Sequence, residues 1–251
     1  MTPSAILAGL LCSLFAGCEV QSPPPDSGSV VPRLVGLLKD REPEVRRMAA
    51  LSLGKVAEPE AAPALVGGLG DPDPLVRQHS AWALGHLGDA VLDQAGPALI
   101  RSLHDPIPAV KEEAARAIGR IGATRDMVEL LMDEMDGPDA ATRRAAVQAL
   151  TWLEAPAAVP ALFTALGDED ALVRQGAVAA LGELAEPDAI PALRNRLLRD
   201  EAPGVRAEAA FRLGKIGDES ILPLLRYIST KDEDPGVRRW AAWAVTALTQ
   251  G

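Results

Sequence analysis

The sequence is poor in cysteine and in aromatic residues. Its two cysteines, Cys12 and Cys18, both lie within the first 18 residues, and aromatic residues make up 3% of the chain. The remainder of the chain can therefore form neither a disulfide framework nor a thiolate metal site. Because alanine is abundant and large rings are few, the sequence predicts a core of Ala, Leu and Val in which helices pack closely.

The sequence also lacks an excess of positive charge. Its formal net charge is −10, and charged residues make up 24% of the chain against 48% apolar residues. This balance is typical of a folded, water-exposed body rather than a disordered chain. A nucleic-acid partner would require a basic stripe, so we expect none.

A long apolar run is missing as well, apart from a short one near the start. Ala5 to Gly17 is apolar but too short to cross a bilayer as a permanent helix, and Cys18 follows it directly. Residues 19–29 are rich in Pro and Ser and are predicted to be a linker.

Residues 1–18 resemble a bacterial lipoprotein signal peptide. That resemblance implies that Cys18 carries a lipid and that the protein is exported to the cell envelope and anchored to a membrane. The first four residues contain no Lys or Arg, whereas the start of a signal peptide is normally basic. An ordinary cleaved signal and a wrongly assigned start therefore remain as alternatives.

From Val30 onward, one motif of about 31 residues recurs along the chain. A repeat of this length predicts a solenoid, because one unit cannot bury its apolar face without stacking on its neighbours. The seven predicted units are residues 30–60, 61–94, 95–126, 127–157, 158–188, 189–220 and 221–251.

Each unit is predicted to contain two helices. A proline near the start, absent only from the fourth unit, indicates the first turn of a short helix, here called helix A. An acidic residue, often followed by proline, then precedes a second helix, helix B. In five units helix B contains a glycine, which we expect either at a close helix contact or near the helix end. These glycines are Gly54, Gly85, Gly119, Gly182 and Gly214.

An acidic and a basic residue six positions apart form the most regular polar feature. Because these carboxylates are spread along the solenoid axis, they do not form a catalytic pocket. We expect the Asp to cap helix B and the basic residue to bridge to the acid of its own or the next unit. The pairs are Asp40/Arg46, Asp71/Arg77, Asp105/Lys111, Asp168/Arg174, Asp200/Arg206 and Asp232/Arg238. The fourth unit keeps Arg143 but has Gly137 at the acidic position.

This pattern resembles HEAT repeats, and its Ala-rich form is similar to the phycobilisome-lyase-type HEAT-like subfamily. The resemblance implies an all-α fold, an α-α superhelix (a HEAT-like or armadillo-type solenoid) of about seven two-helix repeats, with helix B on the concave side. It does not imply one function, because this repeat serves many unrelated roles.

Two enzyme families resemble this repeat class, deoxyhypusine hydroxylase and the bilin lyases. Deoxyhypusine hydroxylase places its iron ligands in His-Glu dipeptides, and no such dipeptide is present here. Nothing in the sequence indicates a bilin pocket of the kind that a bilin lyase would need. We therefore expect a non-catalytic scaffold without a cofactor or metal, which binds a protein or peptide on its helix-B face. The alternative is an accessory or lyase-like subunit of an enzyme system that acts on a protein.

The candidate partner-binding residues are aromatic or polar side chains at helix-B positions outside the apolar stripe. Exposed Trp and Phe beside Arg are typical of binding anchors. Alternatively, the tryptophans pack on neighbouring alanines, and Trp240 and Trp243 cover the last unit. His79 and His86 are too few to hold zinc alone and are expected on a solvated face. The full set is Trp82, Trp152, Phe211, Trp240, Trp243, His79, His86, Arg116 and Arg120.

Overall fold

The computed structural model describes residues 30–184 and 187–250, which form seven consecutive pairs of helices and no strand. The prediction of an all-α solenoid of about seven two-helix repeats is confirmed. The A helices are α1 (Val30–Leu37), α3 (Ala62–Gly68), α5 (Leu92–Ser102), α7 (Arg125–Glu134), α9 (Val159–Ala165), α11 (Ile190–Arg199) and α13 (Leu222–Lys231). The B helices are α2 (Pro43–Val56), α4 (Pro74–Leu87), α6 (Pro108–Ile121), α8 (Ala140–Trp152), α10 (Ala171–Glu183), α12 (Pro203–Ile216) and α14 (Pro235–Gln250).

Proline occupies the first turn of most A helices, as predicted, but not of α5. Pro63 and Pro160 are the second residues of α3 and α9, where their missing N–H removes no hydrogen bond. Pro97 instead lies inside α5, because that helix begins at Leu92. The predicted boundary between the second and third units, at residue 95, therefore falls within a helix.

Adjacent B helices pack against one another along the whole solenoid, whereas neighbouring A helices contact each other sparsely. The B helices are thus closer together, so the solenoid curves with the B helices on its inner side. The helix-B glycines permit this approach. A Cβ atom added at Gly85 would lie 3.0 Å from the Cα of Ala117, and one at Gly54 would lie 2.8 Å from the Cα of Ala83. The close-contact interpretation of these glycines is therefore correct.

The acid–base pairs form a ladder that joins successive repeats. Five arginines bridge to the Asp of the following repeat, and the Nη1 of each donates to a backbone carbonyl of its own repeat. Arg174, for example, holds both carboxylate oxygens of Asp200 at 2.9 Å and the carbonyl of Asp168 at 2.8 Å. The complete rungs are Arg46–Asp71, Arg77–Asp105, Arg143–Asp168, Arg174–Asp200 and Arg206–Asp232.

The prediction that the ladder Asp caps helix B is wrong, because the N-cap residue lies two positions after it. The ladder Asp accepts the backbone N–H two positions later, as Asp71 does from Asp73 at 2.8 Å, and so closes the turn. That later residue is the N-cap of helix B. Asp73 accepts the N–H groups of Leu75 and Val76, and Asp170 caps α10 in the same way. In these two repeats, two acidic positions divide the work: one carboxylate closes the turn and the other caps the helix.

Between the third and fourth repeats, a different polar cluster takes the place of the rung. Gly137 offers no carboxylate there, and the buried Lys111 of the third repeat instead donates to Asp139 and, at 2.8 Å, to the Oγ1 of Thr142. Thr142 occupies the position of the helix-B valine and also bonds the carbonyl of Leu103. Gly137, Thr142 and Lys111 thus replace the Asp, Val and Arg of the repeat together. Asp139 and Thr142 satisfy the buried ammonium group of Lys111.

Burial alone would raise the pKa of the ladder aspartates, but their hydrogen bonds prevail. For Asp200, the bonds from Arg174 and from the Ala202 N–H hold its pKa below the usual range. The pKa values of Asp71, Asp105, Asp168 and Asp232 are lowered by the same combination of arginine and backbone donors. The rungs are therefore charged near neutral pH.

Candidate functional site

A groove lies across the inner face formed by the B helices. It spans α6, α8, α10 and α12 and encloses about 430 Å³. We call it the central groove. Its lining residues are Glu112, Arg116, Arg144, Gln148, Thr151, Trp152, Leu172, Gln175, Gly176, Ala179 and Glu208.

Small residues create the depression. Gly176 and Ala179 line its floor, at positions where the following repeat carries the larger side chains Glu208 and Phe211. Contacts between adjacent B helices are also least extensive on either side of α8, where Thr151 stands in place of the helix-B glycine. The irregular fourth repeat therefore borders the site.

Trp152 and Arg116 form one wall of the central groove. The Trp152 side chain is 39% exposed, and its Cβ occupies the space that a side chain at Gly119 would need. The guanidinium of Arg116 lies 5.8 Å from the Trp152 ring centroid and also pairs with Glu113. Packing on one side and an ion pair on the other hold these two groups in place, so an incoming side chain meets a pre-ordered surface.

Sequence reasoning missed the other polar and apolar lining residues. Neither the Gln148 nor the Gln175 side chain makes a hydrogen bond within the part of the chain that the structure describes. Each carboxamide therefore offers a donor and an acceptor to a ligand. Leu172, which is 49% exposed, adds an apolar contact. The signal in the sequence for Gln148 and Gln175 was only faint, because they are simply polar residues at helix-B positions near the smallest residues of the repeat.

Trp82 lies elsewhere and is half-buried rather than exposed. Its ring covers Gly54 of the preceding B helix and packs against the His86 ring at a centroid distance of 3.9 Å. His86 is exposed and its Nδ1 lies 2.9 Å from the carbonyl of Trp82, while burial and the nearby Arg47 lower the pKa of His79. Arg120 is exposed beside His86, at 3.4 Å from its Nδ1. Trp82, His79 and His86 therefore border the inner face three repeats before Gly176 and Ala179, and Arg120 lies on α6, the first helix of the groove.

Phe211, Trp240 and Trp243 form a single cluster on α12 and α14. The ring of Phe211 lies 5.1 Å from that of Trp240 and 5.0 Å from that of Trp243. The two tryptophans remain 38% and 40% exposed. Their mutual packing agrees with the alternative that Trp240 and Trp243 cover the last unit. Their exposed edges form a second aromatic surface on the inner face.

Two further sequence predictions concern metals and membranes. In residues 30–184 and 187–250, no three His, Cys, Asp or Glu side chains are grouped closely enough to hold a metal ion. Within that same part of the chain, no helix has the length and apolarity needed to span a membrane. The predicted lipidation site, Cys18, lies outside the described residues.

Known structures share this fold. The phycocyanin lyase complex of CpcE and CpcF from Nostoc sp. PCC7120 matches with a TM-score of 0.52 and 23% identity, over 91% of this chain and 96% of that chain. YibA from Escherichia coli matches with a TM-score of 0.54 and 20% identity, over 89% of this chain and 82% of that chain. Human deoxyhypusine hydroxylase gives a TM-score of 0.44 at 24% identity, over 92% and 86% of the two chains. At these identities, the first two comparisons establish similarity of fold alone. No curated protein sequence matches the chain.

A model of HEAT repeats matches four overlapping stretches, residues 16–84, 68–133, 128–210 and 190–250. These stretches cover all of the described solenoid, and its paired helices agree with them. The chain belongs to the HEAT-repeat family.

Proposed function

We propose that this protein is a non-catalytic scaffold that binds a protein or peptide partner in the central groove. The observation that carries the proposal is the exposed Trp152, held by Arg116 beside a floor of Gly176 and Ala179. Tryptophan and arginine are enriched among residues that dominate binding energy, and a recessed floor lets a partner side chain bury the Trp152 ring.

The chemistry of the groove favours an extended segment of polypeptide. Gln148 and Gln175 lie on adjacent B helices, and each can pair with a peptide group through its carboxamide. The charges in the groove are of both signs. Arg144 lies 3.5 Å from Glu112, and Glu208 binds Arg212 at 2.8 Å. Because these charges already have partners, affinity should come mainly from apolar burial and backbone hydrogen bonds rather than from net charge.

Trp152→Ala is expected to weaken partner capture by about 30-fold or more, the equivalent of about 2 kcal/mol for an interface anchor. The partner would be captured from native membranes and quantified by mass spectrometry. Leu130→Ala is a suitable control, because Leu130 is 49% exposed on the A helix α7. Equal capture by the Trp152 variant, with its helical circular dichroism intact, would contradict the proposal.

A chromophore or metal that co-purifies with the protein would favour the alternative role, an accessory subunit of an enzyme system. An absorption scan and intact-mass spectrometry would detect either group. The absence of both, together with loss of capture in the Trp152 variant, would support the scaffold.

Export and lipid anchoring at Cys18 complete the proposed function. They rest on the apolar run before Cys18 and the Pro/Ser-rich stretch after it. Cys18→Ser should move the protein from the membrane fraction to the soluble fraction on cell fractionation. Membrane association that is unchanged in this variant would exclude the lipid anchor.

A further inference from the structure

Two arginines share one buried carboxylate at the wall of the central groove. Arg116 and Arg120 are one turn apart on α6, and both form ion pairs with Glu113, that of Arg120 at 3.9 Å. The arginine side chains are 42% and 41% exposed, whereas the Glu113 side chain is 6% exposed. Within the part of the chain that the structure describes, no other carboxylate lies within ion-pair distance of either guanidinium. One positive charge of the pair therefore remains unmatched on the inner face.

Arg120 is held in position without being hydrogen-bonded to a carboxylate. Its aliphatic stem crosses Gly85 of α4, where an added Cβ would lie 3.4 Å from the Cδ of Arg120. Its Nη1 lies 3.4 Å from the Nδ1 of His86, but that nitrogen also lies 2.9 Å from the carbonyl of Trp82. Because a carbonyl can only accept, Nδ1 carries the proton and has no lone pair for Arg120. The guanidinium of Arg120 thus offers donors to a ligand.

The stability of α6 does not require both arginines. Arg120 lies in the last turn of α6, where a cation is favourable beside the free carbonyl groups, but Arg116 lies one turn earlier. Like charges four residues apart on a helix repel each other. Glu113 relieves only part of this repulsion, because it supplies one negative charge for two positive charges. One added carboxylate would balance the group.

The other side of the groove is already balanced. On α12, Arg212 bonds Glu208 at 2.8 Å and also forms an ion pair with Glu183 of α10. Lys215 lies 3.9 Å from the same Glu183. Two carboxylates thus face two cations there, and the unmatched positive charge lies on the side of Trp152.

A carboxylate suits this position better than a phosphate group. The planar guanidinium forms paired hydrogen bonds with a carboxylate, whose single charge would complete the balance. A phosphate group on a side chain carries a charge of about −1.5 to −2 and would leave an excess of negative charge beside the buried Glu113.

We infer that the partner is an acidic peptide segment, which presents an Asp or Glu side chain to Arg116 and Arg120 beside the apolar side chain that covers Trp152. This inference rests on the proposed function and adds the chemistry of the partner. The guanidinium of Arg116 lies 5.8 Å from the Trp152 ring centroid. Side chains two residues apart in an extended segment lie on the same face, about 6.6 Å apart, so one segment can reach both groups. The acid selects the partner, while apolar burial still supplies most of the affinity.

Peptide selection would reveal whether the groove requires an acid. A phage library of random dodecapeptides would be panned on the full chain, with Cys18→Ser in every sample to exclude a lipid. Enriched peptides should carry Asp or Glu two positions from a large apolar residue. The tightest peptide would be synthesised with both ends blocked, so that side chains supply its only carboxylates, and its affinity would be measured by isothermal titration calorimetry.

A double-mutant cycle then locates the acid. Arg120→Gln should weaken binding of this peptide about tenfold, as expected for the loss of one hydrogen bond between charged groups. Replacing the peptide acid by its amide should weaken binding to the parent similarly. It should have little further effect on Arg120→Gln, because the two changes remove the same contact. Lys215→Gln, at the same helix-B position on the other side of the groove, is the control and should bind as the parent does.

Selected peptides without an acidic residue would overturn the inference. An equal loss from acid to amide on the parent and on Arg120→Gln, with the helical circular dichroism of the variant intact, would overturn it as well. Trp152→Ala separates this inference from the proposed function. If Trp152→Ala weakens the same peptide but Arg120→Gln does not, the central groove stands and the acidic requirement fails. If Trp152→Ala binds the peptide as tightly as the parent does, the groove is wrong, and the inference fails with it.

Discussion

Asp200→Asn is expected to lower the free energy of unfolding by about 3–5 kcal/mol, the cost of leaving one half of a buried ion pair unmatched. The Asp200 side chain is 1% exposed and that of Arg174 is 7% exposed, so water cannot replace the missing partner. The asparagine can still accept the N–H of Ala202, which leaves the turn closed. Urea unfolding followed by circular dichroism would measure the difference.

Asp40→Asn is the matched control for this prediction. Asp40 closes the same turn but has no bridging arginine in the described residues, so its substitution should cost much less. Equal losses in the two variants would show that the turn, and not the rung, supplies the stability.

The dependence on pH distinguishes a lost charge from lost packing. The pKa of Asp200 is lowered in the folded state, so its ionisation contributes stability that is complete above the unfolded pKa of about 3.9. That contribution disappears as the pH falls through the folded value. The gap between wild type and Asp200→Asn should therefore be constant near neutral pH and shrink below about pH 4. A gap that persists in acid would contradict an electrostatic origin.

Gly214→Ala is expected to destabilise the junction of the last two repeats by about 1–3 kcal/mol, although alanine normally favours a helix. The added Cβ would lie 2.6 Å from the Cβ of Ala244 and 2.9 Å from its Cα. The clash involves backbone, so α12 and α14 would have to move apart. Thermal unfolding would measure the loss.

Gly36→Ala is the matched control, and we expect it not to lower the stability of the fold. An added Cβ at Gly36 in α1 meets no atom within 4 Å, so the variant should be neutral or gain up to about 1 kcal/mol. If Gly214→Ala were also stabilising, the close approach of the B helices would not depend on glycine.

The repeat made most of the fold predictable. Period and apolar spacing were enough for seven helix pairs, and the glycines at one helix-B position indicated the close contacts. The ladder was only half predictable, because spacing cannot tell which repeat an arginine reaches. In the structure, Arg174 bonds the carboxylate of the next repeat, and within its own repeat it bonds backbone carbonyls instead of a carboxylate. The place of Pro97 inside α5 was only hinted at by length: the second unit has 34 residues where the others have 31 or 32, and length alone does not tell whether a loop or a helix takes the extra residues.

The candidate site was harder to predict than the fold. Trp152 and Arg116 stood out by residue type, but the groove depends on Gly176 and Ala179, which look like ordinary repeat residues. Helical spacing alone placed Trp82 and Trp152 on the same face. It could not show that Trp82 packs over Gly54 while Trp152 borders an open groove, because that difference depends on the neighbouring helices.

Site-specific photocrosslinking would show whether a partner binds on the inner face. A photoreactive amino acid would be introduced in native cells at Gln148 in the central groove, or at Leu130 on the outer A helix α7 as a control. We expect a discrete adduct with one partner from position 148 and none from position 130. Adducts only from position 130, or the same adducts from both positions, would contradict it.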